Sequence, residues 1–279
     1  MEKIFLVFLI ALLSSCEKWK IDKNSSGLED SFSISCFISP NDTLQIAHIY
    51  SLGSVKDPAL LKDLDSLIIK NAIITISNDS ESYQFKYSEE QKAYISTFAV
   101  KPNCTYFLQA KVNNIIATSS CAVPDRAVIV SDGIELQTFN SNSGRLKLQW
   151  RNPVGQDAAF NVKNSIKSGF SSRNLLPIGP YEVFEKPEIS SSIFEIDQEF
   201  LLHQFNISDA VVDFEIIALS PELATFSKEI QFSNALIGFT DYGFFEKFIP
   251  LNDLFSNIEN GYGIFGAYNS VKLEKKVIL

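Results

Sequence analysis

The chain has 279 residues and a formal charge of −9, with 23 phenylalanines but only one methionine and two histidines. An acidic chain without a basic stripe is repelled by phosphate backbones, which excludes nucleic acid as a partner. His48 and His203 are the only histidines and no Cys-x-x-Cys occurs, so no metal site and no cofactor is expected.

The first elements are a charged lead, Met1-Glu2-Lys3, an unbroken apolar run from Ile4 to Leu13, and Ser14-Ser15-Cys16. This is the pattern of a secretory signal. The run is too short for a permanent transmembrane helix, which needs roughly 20 residues. Leu13, Ser14 and Ser15 before Cys16 fit a lipobox, in which the thiol is alkylated with diacylglycerol and the chain is cut in front of it. Residues 1–15 are thus read as a signal peptide and Cys16 as the lipid attachment site. Each buried acyl methylene contributes about 0.8 kcal/mol, so two or three chains anchor the protein permanently. Residues 16–30 are polar and read as a lipidated tether. Its Trp19 either rests in the headgroup layer or has no special role.

Residues 31–38 alternate, with Phe32, Ile34, Cys36 and Ile38 on one face and serines on the other, which predicts a half-buried strand. Pro40-Asn41-Asp42 predicts a turn and residues 44–50 a second strand. A short helix is expected within 58–64. Further strands are expected over 67–77, 83–87, 94–100, 104–112 and 115–123. Asn113-Asn114 reads as a two-residue hairpin turn, because asparagine tolerates positive φ. That register opposes Val112 to Ile115, Ala110 to Ala117 and Tyr106 to Cys121. Cys104 then sits diagonally from Cys121, a geometry that favours buried thiols over a disulfide. Seven short strands predict an immunoglobulin-like or transthyretin-like β-sandwich over 31–125, closed by Pro124-Asp125-Arg126.

Residues 126–279 read as a second, less regular β-rich domain with one helix. Residues 135–139 and 146–150 predict a hairpin, and 159–166 another strand. A long loop is expected over 168–187, and residues 211–219 make a buried strand. Ser220-Pro221-Glu222 opens a helix with a serine cap, proline in the first turn and an acid beside it. That helix is expected to reach about residue 234. Residues 262–273 predict the last strand. The fold class expected is mainly β, with two sandwiches.

Catalytic patterns are missing. Gly-x-Ser-x-Gly does not occur, and Gly53-Ser54 and Ser143-Gly144 read as turns. Glu89-Glu90, or Asp63 with Asp65, are acid pairs in polar turns and read as solvated surface. Gly261, Gly263 and Gly266 spell G-x-G-x-x-G but lack a surrounding βαβ unit, so they read as a glycine-rich turn into a strand. Asp42-Thr43-Leu44 and Asp65-Ser66-Leu67 match a short acid-hydroxyl-apolar motif O-glycosylated in exported Bacteroidota proteins, which makes Thr43 and Ser66 candidate glycosylation sites.

The layout resembles the Bacteroidota lipoproteins catalogued as domain of unknown function 4249, over nearly the whole mature chain. Ser14-Ser15-Cys16-Glu17-Lys18, Ile38-Ser39-Pro40-Asn41-Asp42-Thr43 and Pro102-Asn103-Cys104-Thr105-Tyr106 carry the likeness in the first half, with Val123-Pro124 closing it. Residues 148–155 match the opening of the family's second domain. The most specific piece is residues 256–268, which looks like the closing signature, with Asn257, Gly261, Gly263, Phe265 and Gly266 in structural roles. Asn257 and the glycines are expected to shape a backbone turn, and Ile264 and Phe265 to pack the last strand. Tyr262 departs from the leucine usual there, and Cys104 stands where glycine is expected.

The resemblance implies an outer-membrane lipoprotein, often encoded beside a TonB-dependent transporter, and supplies no catalytic residues. The expected function is therefore non-enzymatic: an accessory component that binds a TonB-dependent transporter or its cargo. A structural or adhesive surface protein is the alternative, with a glycan-directed hydrolase third. The location expected is the outer membrane, lipid-anchored, with the cell surface preferred to the periplasm. Glu17-Lys18-Trp19-Lys20 is too mixed in charge to fix that orientation.

Overall fold

The structure is a computed structural model that describes residues 31–52, 64–140, 143–153, 158–168, 171–173, 183–185, 193–201, 211–237 and 255–276. Leu13 to Cys16, the tether, residues 58–63 of the expected short helix and most of the expected 168–187 loop lie outside the described residues.

Strand β1 (Phe32–Ile38) turns into β2 (Leu44–Ser51) through the Pro40-Asn41-Asp42 turn. The alternation of β1 is as expected, but its burial is not: Ser33 and Ser35 are 0% and 5% exposed, like the apolar residues between them. The serines predict a half-buried strand. β1 instead lies in the middle of the largest sheet, with partners on both sides and both faces covered.

A 3-10 turn (Leu64–Leu67) and a bridge between Tyr50 and Ile68 precede β3 (Ile73–Ser77). The strand expected from residue 67 starts six residues late, because the Tyr94 hydroxyl takes up the backbone there. It accepts from Ala72 N at 2.7 Å and donates to Ile69 O at 2.9 Å. The single strand expected over 83–87 is two pieces, β4 (Ser82–Gln84) and β5 (Lys86–Ser88). The chain crosses from one sheet to the other between them, at the buried Phe85. Such sheet-switching corners are common where two sheets meet.

The remaining strands of the first half are β6 (Ala93–Thr97), β7 (Thr105–Val112) and β8 (Ile115–Ala122). The β7–β8 ladder opposes Val112 to Ile115, Ala110 to Ala117 and Tyr106 to Cys121, as the turn predicts. Asn113 takes φ +53° at its head.

The second half contains β9 (Val128–Asn140), β10 (Ser143–Arg151), β11 (Ala159–Ser168), β12 (Ser171–Arg173), β13 (Ile193–Leu201) and β14 (Val211–Leu219). Helix α1 (Pro221–Ile237) and β15 (Tyr262–Lys276) complete it. The Ser220 hydroxyl caps α1 by accepting from Leu223 N at 3.4 Å. Leu223, Phe226, Ser227 and Ile230 follow at helical spacing and are all buried.

Among the described residues the strands form three sheets. The largest runs β12-β11-β14-β15-β1-β2-β6-β5, and the others are β4-β3-β7-β8 and β13-β10-β9. One face of the large sheet carries both sandwich cores. Phe32, Ile34, Cys36 and Ile38 meet Ile74, Ile76, Tyr106, Leu108 and Cys121 in the first. Phe160, Val162, Phe214 and Ile216 meet Leu146, Leu148, Trp150 and Phe194 in the second. Helix α1 covers the other face, where Leu223, Phe226 and Ile230 pack on Ile217, Leu219 and Ile264. The protein is mainly β, and the described residues form two sandwiches with one long helix.

β15 belongs to both sandwiches. Its first half pairs parallel with β1, from Ser33 opposite Tyr262 to Ile38 opposite Ala267. Its second half pairs antiparallel with β14, from Leu219 opposite Tyr268 to Val211 opposite Lys276. The residues before and at the start of β15 are thus last in sequence but sit in the first sandwich, with Ile258, Phe265 and Ala267 in its core.

Candidate functional site

The densest set of sequence-specific interactions surrounds residues 255–267, where the chain approaches and enters β15. Asn257 lies against the strand and its side-chain amide pairs with a backbone unit as another strand would. Nδ2 donates to Phe265 O at 2.8 Å, and Phe265 N donates to Oδ1 at 2.9 Å. Asn257 N donates to Gly263 O at 3.2 Å, and the Ser256 hydroxyl accepts from Gly263 N at 3.0 Å. The same segment is tied to β8. Glu259 N donates to Thr118 O at 2.8 Å, the Ser119 hydroxyl to Asn257 O at 2.7 Å, and Asn260 Nδ2 to Ile116 O at 3.2 Å.

Gly263 is the tightest point. A Cβ there would lie 2.0 Å from the carbonyl oxygen of Ile34, and its φ is +112°. No L side chain fits that approach or that backbone. Gly266 faces the helix, where an added Cβ would meet Leu223 at 3.0 Å. Ile264 and Phe265 are both 0% exposed, one toward α1 and the other toward the first core. Gly261 stands beside Phe32 and Ile258.

These contacts define a structural lock. The backbone N–H groups of Gly263 and Phe265 are already committed to Ser256 and Asn257. The G-x-G-x-x-G spacing therefore does not make a phosphate cradle of free donors.

A second lock, on the side where β15 changes partner, has no counterpart in the sequence-based expectations. Asn41 repeats the chemistry of Asn257: its Nδ2 donates to Ser270 O at 3.1 Å, and Ser270 N donates to its Oδ1 at 2.8 Å. Next to it the Tyr268 hydroxyl donates to Asp42 at 2.9 Å. Burial first, and then the Asp42 carboxylate, raise the Tyr268 phenol above its usual range. The only local signal of this role is that Asn41 lies in a predicted turn, a position that gives no hint of a partner so far along the chain.

Two of the candidate acids are in ion pairs at the surface, and Glu90 is exposed. Glu89 pairs with Lys70 at 2.9 Å and Asp65 with Lys92; Asp63 lies outside the described residues, as does His203. His48 stacks on Tyr50 with ring centroids 6.0 Å apart. Thr43 and Ser66 are both exposed. Cys36, Cys104 and Cys121 are free thiols, and burial pushes those of Cys36 and Cys121 well up. Among the described residues no group of three or more His, Cys, Asp or Glu side chains could hold a metal.

A shallow hollow of about 160 Å³ opens on the outer face of the β13-β10-β9 sheet, lined by Glu135, Arg145, Lys147 and Asp197. Ligand pockets for drug-sized molecules hold roughly 300–1,000 Å³ and are mostly apolar. This one is small and charged. Its cations are already paired: Arg145 grips Asp197 with two bonds of 2.6 and 2.7 Å, and Lys147 reaches the neighbouring Glu195 at 3.5 Å. The Arg145 hydrogen bonds hold the Asp197 carboxyl below its ordinary range.

Fold and lock together define a class of protein: a pair of β-sandwiches joined by one shared C-terminal strand. The family model described as Domain of unknown function (DUF4249) matches residues 20–274, and the chain belongs to that family. No curated protein matches it. Among solved structures, domains A168-A170 from titin are similar at 11% identity and a TM-score of 0.21, covering 67% of this chain and 60% of that one. Pullulanase type I from Bacillus subtilis str. 168, complexed with maltose, gives 13% identity and a TM-score of 0.21, covering 66% and 23%. The chain thus spans less than two thirds of either. Similarity at that level carries no argument about function.

Proposed function

We propose that the protein is a lipid-anchored outer-membrane component that works by contact, as a non-enzymatic accessory to a TonB-dependent transporter or its cargo. The observation that carries this reading is Leu13-Ser14-Ser15-Cys16 at the end of a ten-residue apolar run. The body is consistent with it. The strand that follows the tether, β1, is the centre of the large sheet and not a loose edge. Residues 17–30 let that body stand off the membrane by at most about 50 Å when fully extended. Thr43 and Ser66, both exposed, would carry O-glycans, and the intact mass of the native protein tests that part separately.

Two experiments test the proposal. Metabolic labelling with an acyl precursor should mark the wild-type chain and leave Cys16→Ala unlabelled; a labelled Cys16→Ala chain overturns the anchor. Affinity purification from detergent-solubilised outer membrane should bring down a TonB-dependent transporter at near-stoichiometric level. Its absence in repeated purifications overturns the partner.

A further inference from the structure

The two sandwiches are spliced by one uninterrupted strand. We infer that β15 makes them a single cooperative folding unit, in which the last segment of the chain closes the first sandwich. Three observations carry this, and none depends on the anchor or on a transporter.

The first is the ladder. β15 passes from β1 to β14 between Ala267 and Tyr268 with no unpaired residue. A chain in which this strand is absent or displaced leaves the β1 edge bare, and Phe265 and Ala267 drop out of the first core. Bare edges of that kind are sites of mispairing.

The second is the set of clasps at the changeover, each linking elements from different sandwiches. Asn41, in the β1–β2 turn, pairs with Ser270 on the β14 side. Asn269 Nδ2 donates to Pro124 O at 3.1 Å, where the first sandwich ends. Ser220, the cap of α1, donates through its backbone to Ala267 O at 2.8 Å and accepts from Ala267 N at 3.2 Å through its hydroxyl.

The third is the helix. α1 follows β14 in sequence, yet its buried face also covers Ile264, and Phe37 of β1 packs against the same cluster. Domains in one chain move relative to each other by default unless their interface is large and apolar. Here they share hydrogen-bonded backbone and a buried cluster, so opening either one breaks contacts of the other.

The test uses the full mature chain in detergent, in a Trp19→Phe background so that Trp150 alone fluoresces. Trp150, 0% exposed, reports the second sandwich. Pulse alkylation of Cys36 and Cys121, read peptide by peptide by mass spectrometry, reports the first. In urea the two midpoints should coincide. Gly263→Ala, which disturbs only the β1 side of the strand, should lower both midpoints equally. Leu148→Ala, in the second core, should do the same. Separate midpoints, or a variant that shifts one probe and leaves the other in place, overturn the inference. If Gly263→Ala does not fold in the absence of urea, exposed Trp150 together with reactive thiols supports coupling. Buried Trp150 beside reactive thiols overturns it.

Discussion

The two sandwiches recruit their cores from the chain in different ways. Among the described residues, the second draws its core from one contiguous stretch, from Ala127 on β9's approach to Leu273 near the end of β15. The first uses residues 32–123 but is incomplete without Ile258, Phe265 and Ala267 from the far end. The hairpins of the first sandwich are local, but its pairing of β1 with β15 closes a loop that spans most of the chain, and such non-local contacts slow folding. The difference shows that an apparent N-terminal domain boundary marks where a chain leaves a sheet, not where that sheet's membership ends.

The sharpest way to break this arrangement is Gly263→Val. Left-handed strain and overpacking each cost roughly 1–3 kcal/mol, and the obstacle is the Ile34 backbone, which cannot swing aside. The expected outcome is loss of soluble folded protein, checked by circular dichroism and gel filtration. Next is Trp150→Ala in the contiguous sandwich. The ring stacks on Phe194 at 5.5 Å and meets Phe160 and Phe184 edge-on. Truncating such a side chain costs about 3–5 kcal/mol, measurable by urea denaturation.

Asn257→Ala comes third, at about 1–3 kcal/mol for leaving the Phe265 N–H and C=O without partners. Asn41→Ala removes the same pair of bonds from Ser270 in a more exposed turn. It should therefore cost less, and thermal melts of the two variants side by side would rank the two locks. The smallest effect belongs to Asp197. Its carboxyl is held below the ordinary value near 3.9 by Arg145. The stability from that shift is present above the unfolded pKa and is lost as pH falls through the lower folded pKa. Asp197→Asn should therefore melt slightly lower than wild type at neutral pH and match it in strong acid. An exposed guanidinium limits the difference, since water screens such pairs.

Local features of the fold are legible in the residues because their causes are local. The β7–β8 register follows from where Asn113 turns the chain and which side chains alternate around it. The start of α1 follows from a hydroxyl cap, a proline and an acid in consecutive positions. β13 shows the limit of such reading. No strand is assigned to residues 193–201 from the sequence, although Phe194 and Ile196 are buried while Asp197 and Glu199 are exposed, a period of two. Three acids, Glu195, Asp197 and Glu199, interrupt its apolar residues, and their meaning as one side of a cross-strand ladder emerges only beside Arg145 and Lys147 on β10. The split at Phe85 is hidden for a similar reason, since alternation says nothing about which sheet a residue joins.

By itself the sequence determined the β character of the chain, most strand positions, one hairpin register and the capped helix. Each depends on neighbours within a few residues, where sterics, capping and periodicity act. Only the tertiary structure decided that β1 is central, and that Asn41 and Ser270, 229 residues apart, clasp each other. It alone decided that one strand serves two sandwiches. Those outcomes depend on which distant surfaces cover one another, and the two-sided burial of Ile264 and Phe265 with the contact at Gly263 selects β15 as the second neighbour of β1, opposite β2.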